Sequence, residues 1–518
     1  MSVAQIKSRA QLGLHAPLVT VEVHLGPGLP FFGIVGLATK AVKESKDRVR
    51  AALLNSQFEF PAGRITVNLA PADLPKEGGR FDLPIALGIL VASGQLGDVE
   101  QPAVSERVRD EFYGELGLAG ELKSIHGVFL AAAHAAQSGH GIVVPSSNAE
   151  EASTAARVGV RGASHLLEVC AHLQGNALIS PYEPPFECIN SIHAPATDSD
   201  LIDVRGQSQA KRALIIAASG AHSVLFVGPP GSGKSMLAKR LPGLLPPLTE
   251  SQAVEVATIA SVSQGGFDAR QFRRPPFRSP HHTSSANSIV GGGPFAQPGE
   301  ISLAHHGVLF MDELPEFDRR VLESLREPLE TGVISVARAR THAEYPARTL
   351  LICAMNPCPC GFYGDAARCK CTPDRVRRYR NRISGPLLDR IDLRVEVAPV
   401  RDFELMDESP TVQQPAHTSA AIAPLVQAAR DRQLARAGKL NAHLDVGELG
   451  KFCVPSAAGQ RLLTQSVTRL GLSARSYHRT LRVARTIADF GGSARIDAEH
   501  LAEAIQLKRA LDDAELFN

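Results

Sequence analysis

The sequence predicts an α/β protein in three parts: a mixed α/β domain over residues 1–180, a parallel-sheet core over 203–400 and an all-helical domain over 424–518. Three observations carry that prediction. In the first part, short β-branched runs (LVTVEVHL, RITVNLA, GIVVP) alternate with alanine-rich stretches such as DLPIALGILVASG and VFLAAAHAAQ that suit helices. In the second, the apolar runs are continuous and bounded by glycine or proline, as strands covered on both faces require. In the third, the pattern is helical to the end. There Ile496, Asp497 and Leu501 mark a helix start, with the aspartate as N-cap and the two apolar residues closing a hydrophobic staple. Residues 181–202 and 401–423 are rich in proline and small polar residues without a period, and read as linkers.

Composition bounds the rest. A chain of 518 residues is too long for one core at roughly 100–200 residues per domain. With 44% hydrophobic and 21% charged residues it belongs with globular proteins rather than disordered or fibrous ones. A formal net charge of +2 gives no whole-molecule argument for nucleic acid, so any such argument must come from local clusters. No run approaches the ~18 apolar residues that span a bilayer, and the N-terminal stretch lacks the apolar core of a signal peptide. A cytoplasmic protein without a membrane partner is expected. Of eight cysteines, Cys358, Cys360, Cys369 and Cys371 crowd into fourteen positions, which in a cytosolic chain suggests metal more than disulfides.

The chemistry is written most plainly in the middle. The run HSVLFV leads into GPPGSGKS, that is Gly228, Pro229, Pro230, Gly231, Ser232, Gly233, Lys234 and Ser235, and SMLAKRL continues as a helix. Strand, glycine loop and helix in this order form a phosphate cradle. Glycines let backbone N–H groups curl around the phosphates, Lys234 reaches the β/γ oxygens and the Ser235 hydroxyl ligates Mg²⁺, so ATP with Mg²⁺ is the expected ligand. Downstream, the strand GVLFM ends in Asp312 and Glu313. Asp312 is expected to hold Mg²⁺ through water and Glu313 to polarise the attacking water.

Two more polar positions complete a pattern that resembles the AAA+ ATPases. Asn356, after the strand TLLICA, matches the family's sensor-1 residue; Arg390, in GPLLDRID, matches its arginine finger, which a neighbouring subunit supplies. In the helical lid SARSYHRTLRVARTIAD resembles the sensor-2 helix, with Arg479 expected to return to the γ-phosphate and Arg475 as the second choice.

The stretches DVRGQSQAKRALIIAASGAHSVLFVGPPGSGKSMLAKRLPGLLPPL, SPHHTSSANSIVGGGPFAQPGEISLAHHGVLFMDELPEF, ICAMNPCPCG and SGPLLDRIDL resemble the ComM/YifB family of magnesium-chelatase-like proteins. That resemblance covers nearly the whole chain. It implies a hexameric helicase that binds single-stranded and branched DNA and drives branch migration of recombination intermediates in natural transformation, with a recombinase as a possible partner. The alternative is a chelatase-type motor that remodels a protein for metal insertion.

The first part resembles a Lon-protease-like domain, through PKEGGRFDLPIA and YGELGLAGELKSIHGVFLAAA, but Arg80 and Phe129 stand at the positions of the serine and the lysine. Neither can act as nucleophile or base, which excludes peptidase chemistry. The same domain appended to a motor resembles RadA, and its presence argues against the chelatase alternative.

Three clusters remain. TGVISVARARTHAEYPART reads as two strands around a turn with Arg338 and Arg340 on one face; in related ring helicases this hairpin enters the channel, where the pair would grip phosphates, and the alternative is a solvated hairpin. In RCKCTPDRVRRYRNR the seven basic residues face only Asp374, and Tyr379 is placed as a base-stacking residue would be, a subunit-facing helix being the alternative. The four clustered cysteines form CxC, eight residues, CxC, which can close on Zn²⁺ as a knuckle over 358–371; reduced structural thiols or a redox pair are the other readings. The pairs His281–His282 and His305–His306 are expected to hydrogen-bond beside the nucleotide rather than bind metal.

Overall fold

The structure, a computed structural model, describes residues 3–97, 107–156, 159–183, 200–263, 265–293, 296–338, 341–399, 418–470 and 473–508. Its contacts divide the chain into two compact units. One is drawn from Met1–Ile192, Ala253–Phe272 and Ala337–Tyr345, the other from His193–Gln252, Arg273–Val336 and Pro346–Asn518.

The first unit is built on a mixed sheet. Its strands are β1 (Val3–Arg9), β2 (Leu18–Gly26), β3 (Phe31–Val35), β4 (Arg64–Ala70), β5 (Glu111–Phe112), β6 (Ile142–Pro145) and β7 (Val160–Ala163), in the order β3-β4-β2-β1-β5-β6-β7. Alternation sets its faces: Val19, Val21 and Val23 of β2 and Ile65, Val67 and Leu69 of β4 are buried, while their neighbours are less so. The helix Asp82–Ala92 is buried at every residue, because nothing after Asp82 in DLPIALGILVA is charged. Asp82 itself accepts from Arg48 Nε at 2.6 Å and from the Leu116 N–H at 3.2 Å.

The two positions that a Lon-type peptidase needs are filled otherwise. Arg80, 7% exposed, donates to the His126 carbonyl at 2.6 Å and to Gln11 at 3.1 Å. The Phe129 ring lies 5.1 Å from that of Phe267. A guanidinium and a phenyl ring leave no nucleophile and no proton acceptor there.

The second unit carries a five-stranded, all-parallel sheet: β8 (Val224–Val227), β9 (Phe277–Arg278), β10 (Val308–Met311), β11 (Leu350–Met355) and β12 (Leu393–Glu396), in the order β9-β10-β11-β8-β12. Every residue of β8, β10 and β11 is buried, as their unbroken apolar runs predict. The helices from 419 onward continue the same core. Leu214, Phe226, Phe310 and Ile352 of the sheet region cluster with Ile422, Val426, Leu481, Ile487, Ile496 and Leu501. Two regions separate in the sequence therefore share one interior.

The lid begins earlier than its composition predicts. Helix Ser419–Ala437 starts before Pro424, where Thr418 Oγ1 caps the Ala421 N–H at 3.2 Å, and it continues through the proline. At the other end Asp497 is the N-cap of helix Ala498–Gln506, and its N–H donates to His500 Nδ1 at 3.0 Å. Ile496 and Leu501 beside it are fully buried, as a hydrophobic staple requires.

A polar knot fixes the lid helices. Asp489, 2% exposed, accepts from Arg436 at 2.7 and 2.6 Å and from Asn441 Nδ2 at 2.8 Å, and pairs with Arg485 at 3.0 Å. Removing one member of such a buried set leaves the other charges uncompensated. Asp489→Ala is expected to cost about 3–5 kcal/mol, read as a lower urea midpoint at unchanged m-value. A loss below about 1 kcal/mol would show that packing alone holds the lid.

Candidate active site

In a parallel sheet all carboxyl ends share one edge, and that edge gathers the predicted phosphate loop, the Asp-Glu pair and Asn356. Strand β8 delivers the loop Gly228–Ser235, β10 delivers Asp312 and Glu313, and β11 delivers Asn356. Register aligns them, since Val227 pairs with Met355 and Met311 with Cys353. Lys234 Nζ donates to the carbonyls of Gly228 (2.7 Å) and Pro229 (2.8 Å) and to Asn356 Oδ1 (3.2 Å). Ser235 Oγ donates to Asp312 Oδ2 at 2.6 Å, and the Glu313 N–H donates to Asp312 Oδ1 at 2.9 Å.

These residues fit a magnesium–nucleotide complex. Gly231 and Gly233 adopt φ of +78° and +88°, the left-handed turns that point backbone N–H groups into a cradle. The buried Ser232 hydroxyl has no hydrogen-bond partner. Burial lowers the Lys234 ammonium from its ordinary value, against the pull of Asp312 and Glu313, a desolvation cost that an anion in the loop would offset. Ser235 and Asp312 are the residues that would hold Mg²⁺, which would supply charge neutralisation to the phosphates.

Glu313 is set apart from ordinary strand ends. Its φ is +52°, a conformation rare for a side-chain-bearing residue, and it stays 53% exposed. His282 Nδ1 lies 3.2 Å from Glu313 Oε2, with the His282 ring 4.2 Å from that of His281. His305 Nδ1 accepts the Arg348 N–H at 3.0 Å. Hydrogen bonding thus occupies a histidine of each pair.

The remaining arginines lie at the opposite edge. Asp392 immediately precedes β12, and it binds Ser223, which precedes β8: Asp392 Oδ2 accepts the Ser223 N–H at 3.2 Å and the Asp392 N–H donates to Ser223 Oγ at 2.9 Å. Four residues of β8 separate this point from the loop, about 13 Å at ~3.3 Å per residue. Arg479, expected to return to the γ-phosphate, instead donates to Asp392 Oδ1 at 2.5 Å and to the Arg390 carbonyl. The reason is electrostatic. Burial pushes the Asp392 carboxyl up, but Arg479, His222 and Arg482 hold it well below the usual carboxylate range, so this buried charge needs Arg479 as its partner. Arg390, 6% exposed on its side chain, pairs with Glu330 at 2.7 Å and donates to the Pro386 carbonyl at 2.7 Å. Arg475 also pairs with Glu330, at 2.7 Å, and is the freer of the two lid arginines at 48% exposed.

The four cysteines come together. Cys358 Sγ lies 3.3 Å from Cys360 Sγ and 3.9 Å from Cys369 Sγ, Cys360 and Cys369 are 3.6 Å apart, and all four sulfurs fall within 4.8 Å of one another. Tetrahedral thiolates at about 2.3 Å from a zinc ion stand about 3.8 Å apart, so the donor set fits. Burial pushes the Cys358 thiol up, while the Phe362 backbone and then Cys358 draw the exposed Cys360 thiol down. Gly361, at φ +87°, lies so close to the phosphate loop that a Cβ there would meet Pro230 Cδ at 2.5 Å.

Other expectations fare differently. Arg338 ends the strand Val333–Arg338; its side chain, and Arg340 altogether, lie outside the described residues. Tyr379 is not available to stack on a base: it is 6% exposed, and with Val376 it forms the buried stripe of helix Pro373–Arg380. Arg380 and Arg382 are engaged by the Pro357 carbonyl (3.2 Å) and Glu316 (2.7 Å). Sequence reasoning missed Glu330, Asp392 and the His282–Glu313 contact. Only Asp392 carries a local signal, standing two residues after Arg390.

Residues 200–405 match the family model "Magnesium chelatase, subunit ChlI", residues 416–508 its C-terminal model, and residues 21–148 the model "Subunit ChlI of Mg-chelatase". The last match means that the N-terminal unit does not by itself separate this chain from chelatase subunits, contrary to the expectation from its Lon-like resemblance. Competence protein ComM of Haemophilus influenzae is 47% identical over 506 residues, covering 98% of this chain and 97% of that one. YifB of Escherichia coli, an uncharacterized protein, is 46% identical over 513 residues, with 99% and 98% covered. The magnesium-chelatase 67 kDa subunit of Heliobacterium mobile is 26% identical over 239 residues, 40% of this chain and 34% of that one. With near-complete coverage at this identity, the chain belongs to the ComM/YifB family of magnesium-chelatase-like AAA+ ATPases.

Proposed function

We propose that this protein is a ring-forming, ATP-driven motor that binds single-stranded and branched DNA and moves branch points in recombination intermediates. The observation that carries the ring is the separation of the two edges of the parallel sheet. Lys234, Asp312, Glu313 and Asn356 stand at the carboxyl edge; Arg390, Arg475 and Arg479 stand at or beside the amino edge, about 13 Å of strand away. An arginine finger so placed serves the phosphate of another copy, which makes a closed ring, with six members by family resemblance, the natural assembly. Within it Glu313 takes the proton of the attacking water, Asn356 orients that water, and Arg390 and Arg475 of the adjoining copy stabilise the leaving phosphoryl charge. Arg479 then holds Asp392 and the Arg390 backbone in place.

DNA enters through kinship: the ComM relative is named for competence, and identity to it extends across both units. Arg338 and Arg340 are proposed to grip the strand, and a recombinase is a fitting partner in the cytoplasm. Among the described residues no helix is long and apolar enough to cross a membrane. A chelatase-type motor acting on a protein is the second reading, supported by relatives that cover only 40% of the chain. The cysteines are proposed to hold Zn²⁺ and, through Gly361 against Pro230 and Cys358 two residues after Asn356, to brace the phosphate site.

A labelled four-way DNA junction at moderate salt tests the main reading. Native protein with ATP is expected to displace strands, and Glu313→Gln to bind ATP while turnover falls by about 10²-fold or more. No displacement and no stimulation of turnover by DNA would move the assignment to a protein client. Purified protein is expected to contain one zinc per chain, and Cys358→Ser to lose both the metal and most ATP turnover. Metal-free protein of undiminished activity would leave the cysteines as structural thiols.

A further inference from the structure

Glu330, in the helix Arg326–Thr331, makes two ion pairs at once. Its Oε2 receives Arg390 Nη2 and its Oε1 receives Arg475 Nη2, each at 2.7 Å. Arg390 and Arg475 come from parts of the chain 60 and 145 residues away, so the helix of Glu330 is where they converge. Beside them opens a cavity of about 770 Å³, whose wall includes Glu330, Arg475, Arg479, Arg348 and Lys439. Two carboxylates, Glu330 and Asp445, face that basic wall among the described residues, and Asp445 is taken up by capping its own helix at Glu448.

A carboxylate that receives two guanidinium groups presents them with two oxygens, as a terminal phosphate does. We propose that Glu330 is a positioning residue that stands in for phosphate: it holds Arg390 and Arg475 convergent, and the terminal phosphate of ATP on a second copy of this chain displaces it. This rests on the reading of Arg390 as a finger acting on that second copy. The Arg475 pair is half exposed and weak, whereas Arg390 is 6% exposed, so a more highly charged phosphate outcompetes the carboxylate by way of the Arg475 pair. Repulsion between Glu330 and the arriving phosphate then makes engagement depend on a fully charged triphosphate opposite. An empty or product-bearing neighbour leaves the arginines with Glu330.

Steady-state ATP turnover of the full-length protein without DNA tests this. Glu330→Gln removes the competing charge, and the ATP concentration for half-maximal turnover is expected to fall by about fivefold, with ATP-dependent association in sedimentation shifting alike. Glu330→Asp keeps the charge and is expected to stay within about twofold of native. An unchanged or raised half-saturation in Glu330→Gln overturns the proposal, as does an equal fall in Glu330→Asp. Glu330 is 44% exposed, so both variants are expected to melt with the native protein. Mixing Lys234→Ala chains with Arg390→Ala chains separates the proposal from its premise. Recovered turnover keeps the finger acting between copies, and an unresponsive Glu330→Gln then removes only the role of Glu330. No recovery removes both.

Discussion

The polarity of the parallel sheet is the constraint on which the rest depends. Strands β8, β10, β11 and β12 run the same way, so everything attached to their carboxyl ends faces one edge and everything that precedes them faces the other. The sheet can be parallel only because both faces are covered, which in turn requires the fully apolar runs VLFV, VLFM and LLICAM. Hydrophobic burial thus decides where each charge can stand. Lys234, Asp312 and Asn356 meet because their strands are neighbours in register. Arg390 cannot join them, because it enters β12 from the far end.

That division gives the two edges different electrostatic tasks. At the carboxyl edge Lys234 donates, among the described residues, to carbonyl and amide oxygens, partners that a phosphate can replace without leaving a buried charge unpaired. At the amino edge the arginines are bound by carboxylates. Asp392, deeply buried, cannot release Arg479 without a large penalty, whereas Glu330, nearly half exposed, can release Arg390 and Arg475. Depth of burial of the carboxylate therefore fixes Arg479 and leaves Arg475 exchangeable, while Arg390, 6% exposed, depends on whichever anion stands where Glu330 does.

Much of this was legible in the sequence wherever the chemistry is local. GPPGSGKS encodes its own loop through glycine spacing, and the Asp-Glu and Asn positions announce themselves as polar residues ending apolar strands. What failed was non-local or cryptic. Glu330 and Arg475 are 145 residues apart, and no spacing rule links them. Arg479 stands ahead of Arg475 in the sequence reading, which does not reveal that a buried Asp392 will claim it. Tyr379 was misread because the surrounding arginines hide a two-residue apolar stripe with Val376, although the spacing of three was there to see. The lid starts at Ser419 rather than 424 because the small residues SAAIA carry no hydrophobic period of their own, and the Thr418 cap is what starts the helix.

The lid helices belong to the sheet's own core. Helix Ala474–Phe490 buries Leu481, Val483, Ala484 and Ile487, in one cluster with Val224, Phe226 and Leu393. Its polar side is tied to the same place: His222 Nε2 lies 2.8 Å from Thr486 Oγ1, and His222 Nδ1 lies 3.3 Å from Asp392 Oδ2. Close-packed interiors transmit displacement rather than absorb it. Arg475, at the start of this helix, and Arg390, just ahead of β12, are therefore carried by one rigid body, and the distance between them is set by packing. The freedom that remains is in the side chains and in whichever anion sits between them. Regulation at this edge is consequently a question of which acceptor two pre-positioned arginines hold, and the sheet keeps that choice remote from the nucleotide bound to its own chain.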